Sequence, residues 1–390
     1  MLLLMVIGNR SFFAGLIISL TYLLYHELKN KAFRGRSRGW IFVISMLIVT
    51  YITVFIKPDS SLGRLFIYKI TSRIIIDHPW AGIGPGNFPL VYGRYQLSYF
   101  KAGAYSQKEL LLADNTKHAF NDYLEFAACF GLPSFLFLLA GLWLLLRYLW
   151  QVPSHYPQRP PLFMVCAALI IMLLVAALFT PVFDKWYWQS LLLAMFGGII
   201  YSSKPIYPLW LRFLPSIGII FVIIFYFGYY VAHYAQYRQW HEARQYARAG
   251  YQRKALTIYR SLNKTLVKER RFAVEFAQTA INLNNYSEAK EILTILIKQD
   301  SHSLYYSLIG RCYQALGNGR LAEAAFVNAV YQVPNRFMPR KELFDFYVWR
   351  NDKVNAIRAG QEVMGLPIKI PSFAVDQIRH DIQAKMDEWK

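Results

Sequence analysis

Long apolar runs fill most of residues 1–232, whereas residues 235–390 mix apolar and charged positions as a water-soluble helical chain does. A helix that spans a membrane needs about 20 mostly apolar residues, or about 17 at the shortest. The pattern therefore predicts an all-α protein, with a polytopic transmembrane bundle of about six spans followed by a soluble helical domain. The candidate spans are 11–25, 41–56, 123–146, 162–183, 186–203 and 213–231.

The chain opens with MLLLMVIGNR, which is apolar from its first residue. This stretch has no basic n-region and no small-residue cleavage site, so it does not fit a secretory signal peptide. It resembles the middle of a span, and we expect related proteins to carry further helices before it.

Basic residues in the short loops predict the orientation of the spans. Because loops rich in Lys and Arg stay in the cytoplasm, alternation places the long segment 57–119 and the C-terminal domain 234–390 outside. The predicted membrane domain is then 1–233, and 57–119 is its outer loop. The three loops predicted to be cytoplasmic are 29–40, 147–161 and 202–212, and all of them carry basic residues.

The C-terminal domain contains an internal repeat. Ala255, Ala289, Ala322 and Ala356 are spaced by 34, 33 and 34 residues. The surrounding residues resemble tetratricopeptide repeats, so we expect an α-solenoid of helix pairs, capped by the amphipathic segment 371–389. Such a solenoid is by default a docking surface for a protein partner, and the alternative is a spacer.

The net charge and the cysteine content limit the classes of partner that the protein is expected to bind. The formal net charge is +20, from 43 Lys and Arg against 23 Asp and Glu, and it suits anionic lipids or phosphate groups. Nucleic acid is not an expected partner, because the basic residues are scattered along a membrane protein. The three cysteines match neither a disulfide framework nor a metal site.

The outer loop 57–119 has more cations than anions, against the trend for outer loops. It holds eight Lys or Arg and four Asp or Glu. Arg64, Lys69 and Arg73 have spacings that predict a shared helix on which they lie near one another.

A glycine-rich turn follows that helix. Gly82, Gly84 and Gly86 lack the strand and helix that a phosphate-binding nucleotide loop requires, so we expect a tight structural turn that folds the loop back. His78, which precedes a proline, is expected to hold this turn.

Polar residues crowd the start of the third candidate span. His118, Asn121, Asp122 and Glu125 lie there within eight residues. Polar groups at a membrane are costly unless they act in function, so these four residues are the candidate catalytic group.

Several segments in order resemble the O-antigen ligase and polymerase superfamily over about residues 8–200. They are GNRS at 8–11, GRLFIYK at 63–69, IIIDHPWAGIGPGNF at 74–88 and KHAFNDYLEFAACFGLPSF at 117–135. The resemblance implies a multi-pass protein of the bacterial inner membrane whose C-terminal domain lies in the periplasm. Some members of that family also carry a C-terminal tetratricopeptide domain.

The resemblance also implies a reaction, namely glycan transfer without a metal or cofactor. The donor would be a glycan on undecaprenyl diphosphate, and the acceptor a hydroxyl on lipid A–core or on a growing glycan. A diphosphate leaving group needs positive charge, which Arg10, Arg64 and Arg73 would supply with support from Lys69. A histidine would be the general base.

The chain departs from the family pattern at the expected base. Phe120 stands immediately before Asn121, where the ligase motif has a histidine, and the nearest histidine is His118. On a helix, two residues would place His118 on a different face. Asp122 and Glu125 are alternative proton acceptors, or charges that stabilise the start of the helix.

Two other classes of function compete with the enzyme. A non-catalytic membrane scaffold that recruits envelope assembly partners through its repeats would explain Phe120. The cations of the outer loop favour the enzyme, because a scaffold has no use for them beside a histidine. Transport is a weaker alternative, because few ionisable groups lie within the spans and no pair of spans is broken.

Overall fold

The structure is a computed structural model, in which the described residues form helices, turns and loops without a strand. This confirms the all-α class. The basic loop around residue 35, most of the candidate span 41–56 and the first nine residues lie outside the described part of the chain. The described residues are 10–30, 40, 43–45, 47–48, 51, 58–155, 161–202 and 209–389.

We number the helices in chain order. The helices of the first half are α1 (Arg10–Asn30), α2 (Pro58–Asp77), α3 (Phe88–Lys101), α4 (Gln107–Leu112), α5 (Asp122–His155), α6 (Pro161–Ala176), α7 (Trp186–Ser202) and α8 (Leu209–Arg248). Those of the second half are α9 (Gln252–Leu266), α10 (Arg270–Asn282), α11 (Tyr286–Gln299), α12 (Ser303–Ala315), α13 (Gly319–Gln332), α14 (Phe337–Trp349), α15 (Lys353–Met364) and α16 (Phe373–Asp387).

The chain divides into two compact units, which we describe separately. The first unit comprises residues 1–85 and 118–230, and the second comprises 86–117 and 231–390. Residues 86–117, which the sequence predicts as part of the outer loop of the membrane domain, therefore belong to the second unit. The sequence pattern carries no signal for this assignment, because it depends on contacts between distant residues.

In the first unit, α1 packs along α6, α6 packs on α7, and α2 packs on α5. Gly15 permits the closest of these approaches, because a Cβ there would lie 2.4 Å from the carbonyl oxygen of Met172. Small residues at such positions let helices approach without a side chain between them.

One helical stretch in the described residues, Asp122–Gln151, is long and apolar enough to cross a membrane. The apolar helix α6 is shorter. Helices α1, α7 and α8 also coincide with candidate spans. The count of six spans stays a prediction.

Helix α5 is broken at Gly131, where φ is 80° and ψ is 168°. This backbone conformation is open essentially only to glycine. A Cβ at Gly131 would also lie 2.2 Å from the carbonyl oxygen of Trp80, so glycine is required twice over. After the break, the amide of Leu132 donates to the carbonyl of Pro79 at 2.7 Å.

The glycine-rich turn that follows α2 donates hydrogen bonds to the carbonyls of α5 that precede this break. The amides of Ile83 and Gly84 donate to the carbonyls of Ala128 and Cys129 at 3.0 and 2.9 Å. A helix interrupted within a membrane is tolerated only where other groups bond to its freed backbone. The turn therefore completes α5, a role that the sequence did not predict, since the span reads as continuous.

In the second unit, each helix from α9 to α15 packs on the next, and α16 packs on α14 and α15. The four repeated alanines, Ala255, Ala289, Ala322 and Ala356, are fully buried between helices. Gly310 lies so close to the ring of Phe326 that a Cβ there would be 2.8 Å from it. The small residues of the repeat thus allow close helix packing, while the tetratricopeptide assignment stays a prediction.

Candidate active site

The polar group at the start of α5 lies in the first unit. Residues 118–121 are not helical, and α5 begins at Asp122. Asn121 caps the helix, because its side-chain oxygen accepts a hydrogen bond from the amide of Leu124 at 3.0 Å. The expectation that helical spacing separates His118 from the site is therefore wrong, since no helix runs through 118–121.

His118 lies between two carboxylates. Its Nδ1 is 3.4 Å from Oε1 of Glu125, and its Nε2 is 3.5 Å from Oδ2 of Asp184. The side chains of His118, Glu125 and Asp184 are 26%, 23% and 40% exposed, so the group is partly accessible, most of all at Asp184.

Further contacts hold this arrangement in place. The second oxygen of Glu125 accepts a hydrogen bond from the amide of Ala119 at 2.8 Å, which ties the 118–121 loop to the helix. Lys185 pairs with Asp184 at 2.7 Å. The site therefore alternates charges, with an anion on each side of His118 and a cation beyond Asp184.

The pKa values follow these contacts. The hydrogen bond to Glu125 raises the pKa of His118; burial opposes it, and the charges of Glu125 and Asp184 add to it. Burial alone would raise the pKa of Asp184, but the hydrogen bond from Lys185 and the charge of His118 outweigh it and lower that pKa. His118 is thus a stronger base than a free histidine, and Asp184 stays ionised beside it.

Asp122 has a different task from the other carboxylates. Its Oδ2 accepts hydrogen bonds from the amides of Val182 and Phe183 at 2.8 and 3.0 Å. These bonds hold the loop that carries Asp184 against the start of α5. The geometry thus gives Asp122 a positioning contact, while its part as an alternative proton acceptor stays a prediction.

Phe120, at the position of the expected histidine, has a positive φ of 55°. Its carbonyl oxygen lies 3.4 Å from the hydroxyl of Tyr68 in α2, and that hydroxyl is also hydrogen-bonded to Asn121. The left-handed turn at Phe120 directs the chain from His118 into the cap of α5. Tyr68 thus connects α2 to the polar group.

The cations of α2 fall on two sides of the helix. Arg64 is half-buried and lies one turn before Tyr68. Burial raises the pKa of Tyr68, and the charge of Arg64 acts in the opposite direction. Lys69 and Arg73 are exposed and share another side. A helix turns about 100° per residue, so Arg64 and Arg73 are about 180° apart. The expectation that all three lie near one another is wrong.

The other predicted site residues have these places. Helix α1 begins at Arg10, whose side chain lies outside the described residues. His78 closes the turn after α2 through its backbone, and its side chain is exposed. Gly82, Gly84 and Gly86 all have positive φ, which suits glycine in a tight turn.

Gly82 packs directly on the broken helix, where a Cβ would be 2.4 Å from the carbonyl carbon of Cys129. The turn therefore contacts α5 as protein backbone. Within the described residues, no group of three His, Cys, Asp or Glu side chains could hold a metal ion.

Three residues of the site were not singled out from the sequence as functional, namely Tyr68, Asp184 and Lys185. The two charged residues lie in the short segment between the candidate spans 162–183 and 186–203. A charged pair between spans was the signal available. Its distance of about sixty residues from His118 hid the connection.

The comparisons with known proteins can now be set beside this geometry. The family model of O-antigen ligases matches residues 1–139. The match includes His118, Asn121 and Glu125 but ends before Asp184. It supports the ligase and polymerase superfamily for this part of the chain, and with it a role in glycan transfer during polysaccharide assembly.

The comparison with curated proteins finds no match. The family match and the apolar stretch Asp122–Gln151 together support a membrane location. The family also implies a lipid-linked glycan and an acceptor as the substrates.

Proposed function

We propose that this protein transfers a glycan from an undecaprenyl diphosphate carrier to a hydroxyl acceptor at the outer face of the inner membrane. The observation that carries the proposal is His118 held between Glu125 and Asp184, within a unit whose first part matches the O-antigen ligase family. A base oriented by a carboxylate on its other nitrogen is the arrangement that activates a hydroxyl nucleophile.

The proton would move along His118. A carboxylate can only accept hydrogen bonds when ionised, so Glu125 keeps a proton on Nδ1 and leaves Nε2 to act as the base. Nε2 takes the acceptor's proton while the acceptor oxygen bonds to the anomeric carbon of the glycan. The bond from that carbon to the phosphate oxygen breaks, and the diphosphate carrier leaves with the electron pair.

Asp184 stabilises the product of this proton transfer. Once His118 is an imidazolium, Nε2–H would face the carboxylate of Asp184, which lies 3.5 Å away. A neutral ring would present a lone pair to that carboxylate. The carboxylate of Asp184 would therefore stabilise the protonated ring more than the neutral one.

Among the cations of α2, Arg64 is the best placed for the diphosphate. It is half-buried beside Tyr68, which bonds to the cap of α5, whereas Lys69 and Arg73 share another side of α2. Positive charge near a leaving diphosphate stabilises the charge that develops as the bond breaks, and arginine binds phosphate with two parallel hydrogen bonds. Arg10 stays a candidate from the sequence.

A matched pair of variants tests this assignment. The full chain is placed in liposomes with undecaprenyl diphosphate-linked glycan and a hydroxyl acceptor, and transfer kinetics are measured. Arg64→Gln is expected to lower kcat/KM for the donor by about 10- to 100-fold, the loss of a charged hydrogen bond. Arg73→Gln, on the opposite side of the same helix, is expected to change it less than about threefold.

Equal effects of the two substitutions would contradict the role of Arg64. Transfer that survives both Arg64→Gln and His118→Gln would exclude this site for the reaction. The choice between lipid A–core and a growing glycan, and so between ligase and polymerase, follows from which acceptor is used in the same assay.

A second candidate function is a membrane scaffold that recruits envelope assembly partners through the second unit. The observation that favours it is Phe120 at the position where the ligase motif has a histidine. A scaffold would show no transfer in the liposome assay, and its role in cells would survive His118→Gln.

A further inference from the structure

Residues 86–117, hereafter the docked segment, pack on the repeats within the second unit. Helix α3 of this segment lies against α11 and α13. Leu110 of α4 joins the same apolar cluster as Phe326 and Val330 of α13. The surface of the repeats at this place is therefore occupied by the chain's own segment.

The approach of α3 is close and specific. A Cβ at Gly93 would lie 2.5 Å from the Cβ of Ser301, so only glycine permits this distance. Three residues later, Gln96 is fully buried, and its amide donates to the carbonyls of Gln332 and Asp114 at 2.5 and 3.1 Å. One side chain thus bonds both to the repeats and to the other end of the docked segment.

Asn335 binds the end of α4. Its amide nitrogen lies 3.0, 3.0 and 2.8 Å from the carbonyl oxygens of Leu110, Leu111 and Ala113. The last carbonyls of a helix have no hydrogen-bond donor within the helix. Here a side chain from the repeats is the donor. Asn335 lies in the loop between α13 and α14, so a residue of the repeats caps a helix of the docked segment.

The C-terminal end of the docked segment is held as well. Asn115 donates to the hydroxyl of Ser303 at 3.3 Å and accepts from the amide of the same residue at 3.2 Å. Arg336 pairs with Asp114 at 2.7 Å. These contacts lie three and four residues before His118 in the chain.

We propose that the repeats act as an internal clamp on the docked segment, and that Gln96 and Asn335 are positioning residues for the reaction at His118. The inference rests on the proposed function, and it assigns the repeats a task within the chain. The docked segment is continuous in the chain with the glycine-rich turn at one end and with His118 at the other. Motion of the docked segment would therefore displace both neighbours. Fixing it reduces the number of positions that the His118 loop can take.

Two matched substitutions test the clamp in the full chain. Asn335→Asp keeps the size of the side chain but removes the two N–H donors that face these three carbonyls. It is expected to raise hydrogen exchange in 88–112 by about 10- to 100-fold, since exchange follows local opening. Asn328→Asp makes the same chemical change at a partly buried site but keeps the oxygen that accepts from Lys101 of α3, so exchange in 88–112 is expected not to rise.

A second variant acts from the other side of the contact. Gln96→Met removes both of its hydrogen bonds without altering the repeats, so it remains informative if Asn335→Asp impairs the folding of the second unit. Its exchange in 88–112 is expected to rise similarly, while the amides of α9 and α10 stay protected. Unchanged exchange in both Gln96→Met and Asn335→Asp would overturn the clamp.

Transfer kinetics in liposomes separate positioning from a merely structural role. A positioning role predicts a kcat about tenfold lower for Gln96→Met, with KM for the donor changed less than about threefold. Faster exchange with an unchanged kcat would overturn the positioning role. If the wild-type protein shows no transfer, the proposed function fails, and hydrogen exchange still decides on the clamp.

Discussion

The surroundings of His118 in the first unit and of His302 in the second use the same side chain in opposite ways. Glu125 raises the pKa of His118, whereas burial lowers the pKa of His302 to about 4. His302 accepts a hydrogen bond from the amide of Leu304 at 3.1 Å and stacks on Tyr305. One ring is prepared to hold a proton, and the other is kept neutral as the cap of α12.

The difference lies in the partners. Carboxylates face both nitrogens of His118, and the site is open on the side of Asp184. The side chain of His302 accepts its hydrogen bond from a neutral backbone amide. Its pKa responds less to nearby charges than to burial, and those charges are on Asp300, Arg336, Asp114 and Lys117. Polar residues that are satisfied by neutral groups build structure, while those that face ionised groups at a partly exposed position can carry chemistry.

The largest contrast is expected in activity. His118→Gln should lower the rate of transfer in liposomes at least about 100-fold, the usual minimum contribution of a general base. His302→Asn keeps a residue that caps helices well and should change the rate less than about twofold. The account fails if both substitutions reduce transfer equally at equal protein levels.

Two glycines of α5 differ in the cost expected for a substitution by alanine. Gly131→Ala forces a Cβ into a backbone conformation that disfavours it and towards the carbonyl of Trp80, at an expected cost of about 3 kcal/mol. Gly141→Ala has open space at its Cβ, so it should be neutral or slightly stabilising in the helix. Thermal unfolding of the purified proteins measures both, and equal unfolding temperatures would contradict the requirement for glycine at the break.

The neutral state of His302 predicts a loss of stability in acid. The unfolded histidine gains a proton below its ordinary pKa of 6.5, but the folded one does so only near 4. Stability is therefore complete above 6.5 and falls as the pH is lowered to 4, by up to about 3 kcal/mol. His302→Asn should flatten this dependence in thermal unfolding of the second unit, and an unchanged slope would assign the acid sensitivity elsewhere.

Much of the fold follows from local pattern. Apolar runs and the alanine spacing predict helices because both depend on residues a few positions apart. The break at Gly131 escaped notice, since the residues around it are as apolar as a continuous span. The glycines at 82 and 84 were predicted to form a turn, but their bonds to α5 depend on a contact that no local pattern records.

The candidate site was likewise predictable from the sequence only in part. His118 and Glu125 lie seven residues apart and were found from the crowding of polar residues at the start of a span. Asp184 was missed because an aspartate in a short loop is ordinary in sequence and becomes notable only beside His118. The faces of Arg64 and Arg73 follow from helix geometry, which the sequence spacing could have supplied.

His118 is proposed to be a general base whose pKa is raised by Glu125. The pH dependence of transfer tests this role most directly. In the wild-type liposomes, the rate should rise with pH through a midpoint above 6.5, because Nε2 accepts a proton only from the neutral ring. Glu125→Gln removes the charge that raises this pKa and should move the midpoint to lower pH. A midpoint that stays in place in Glu125→Gln would contradict the account.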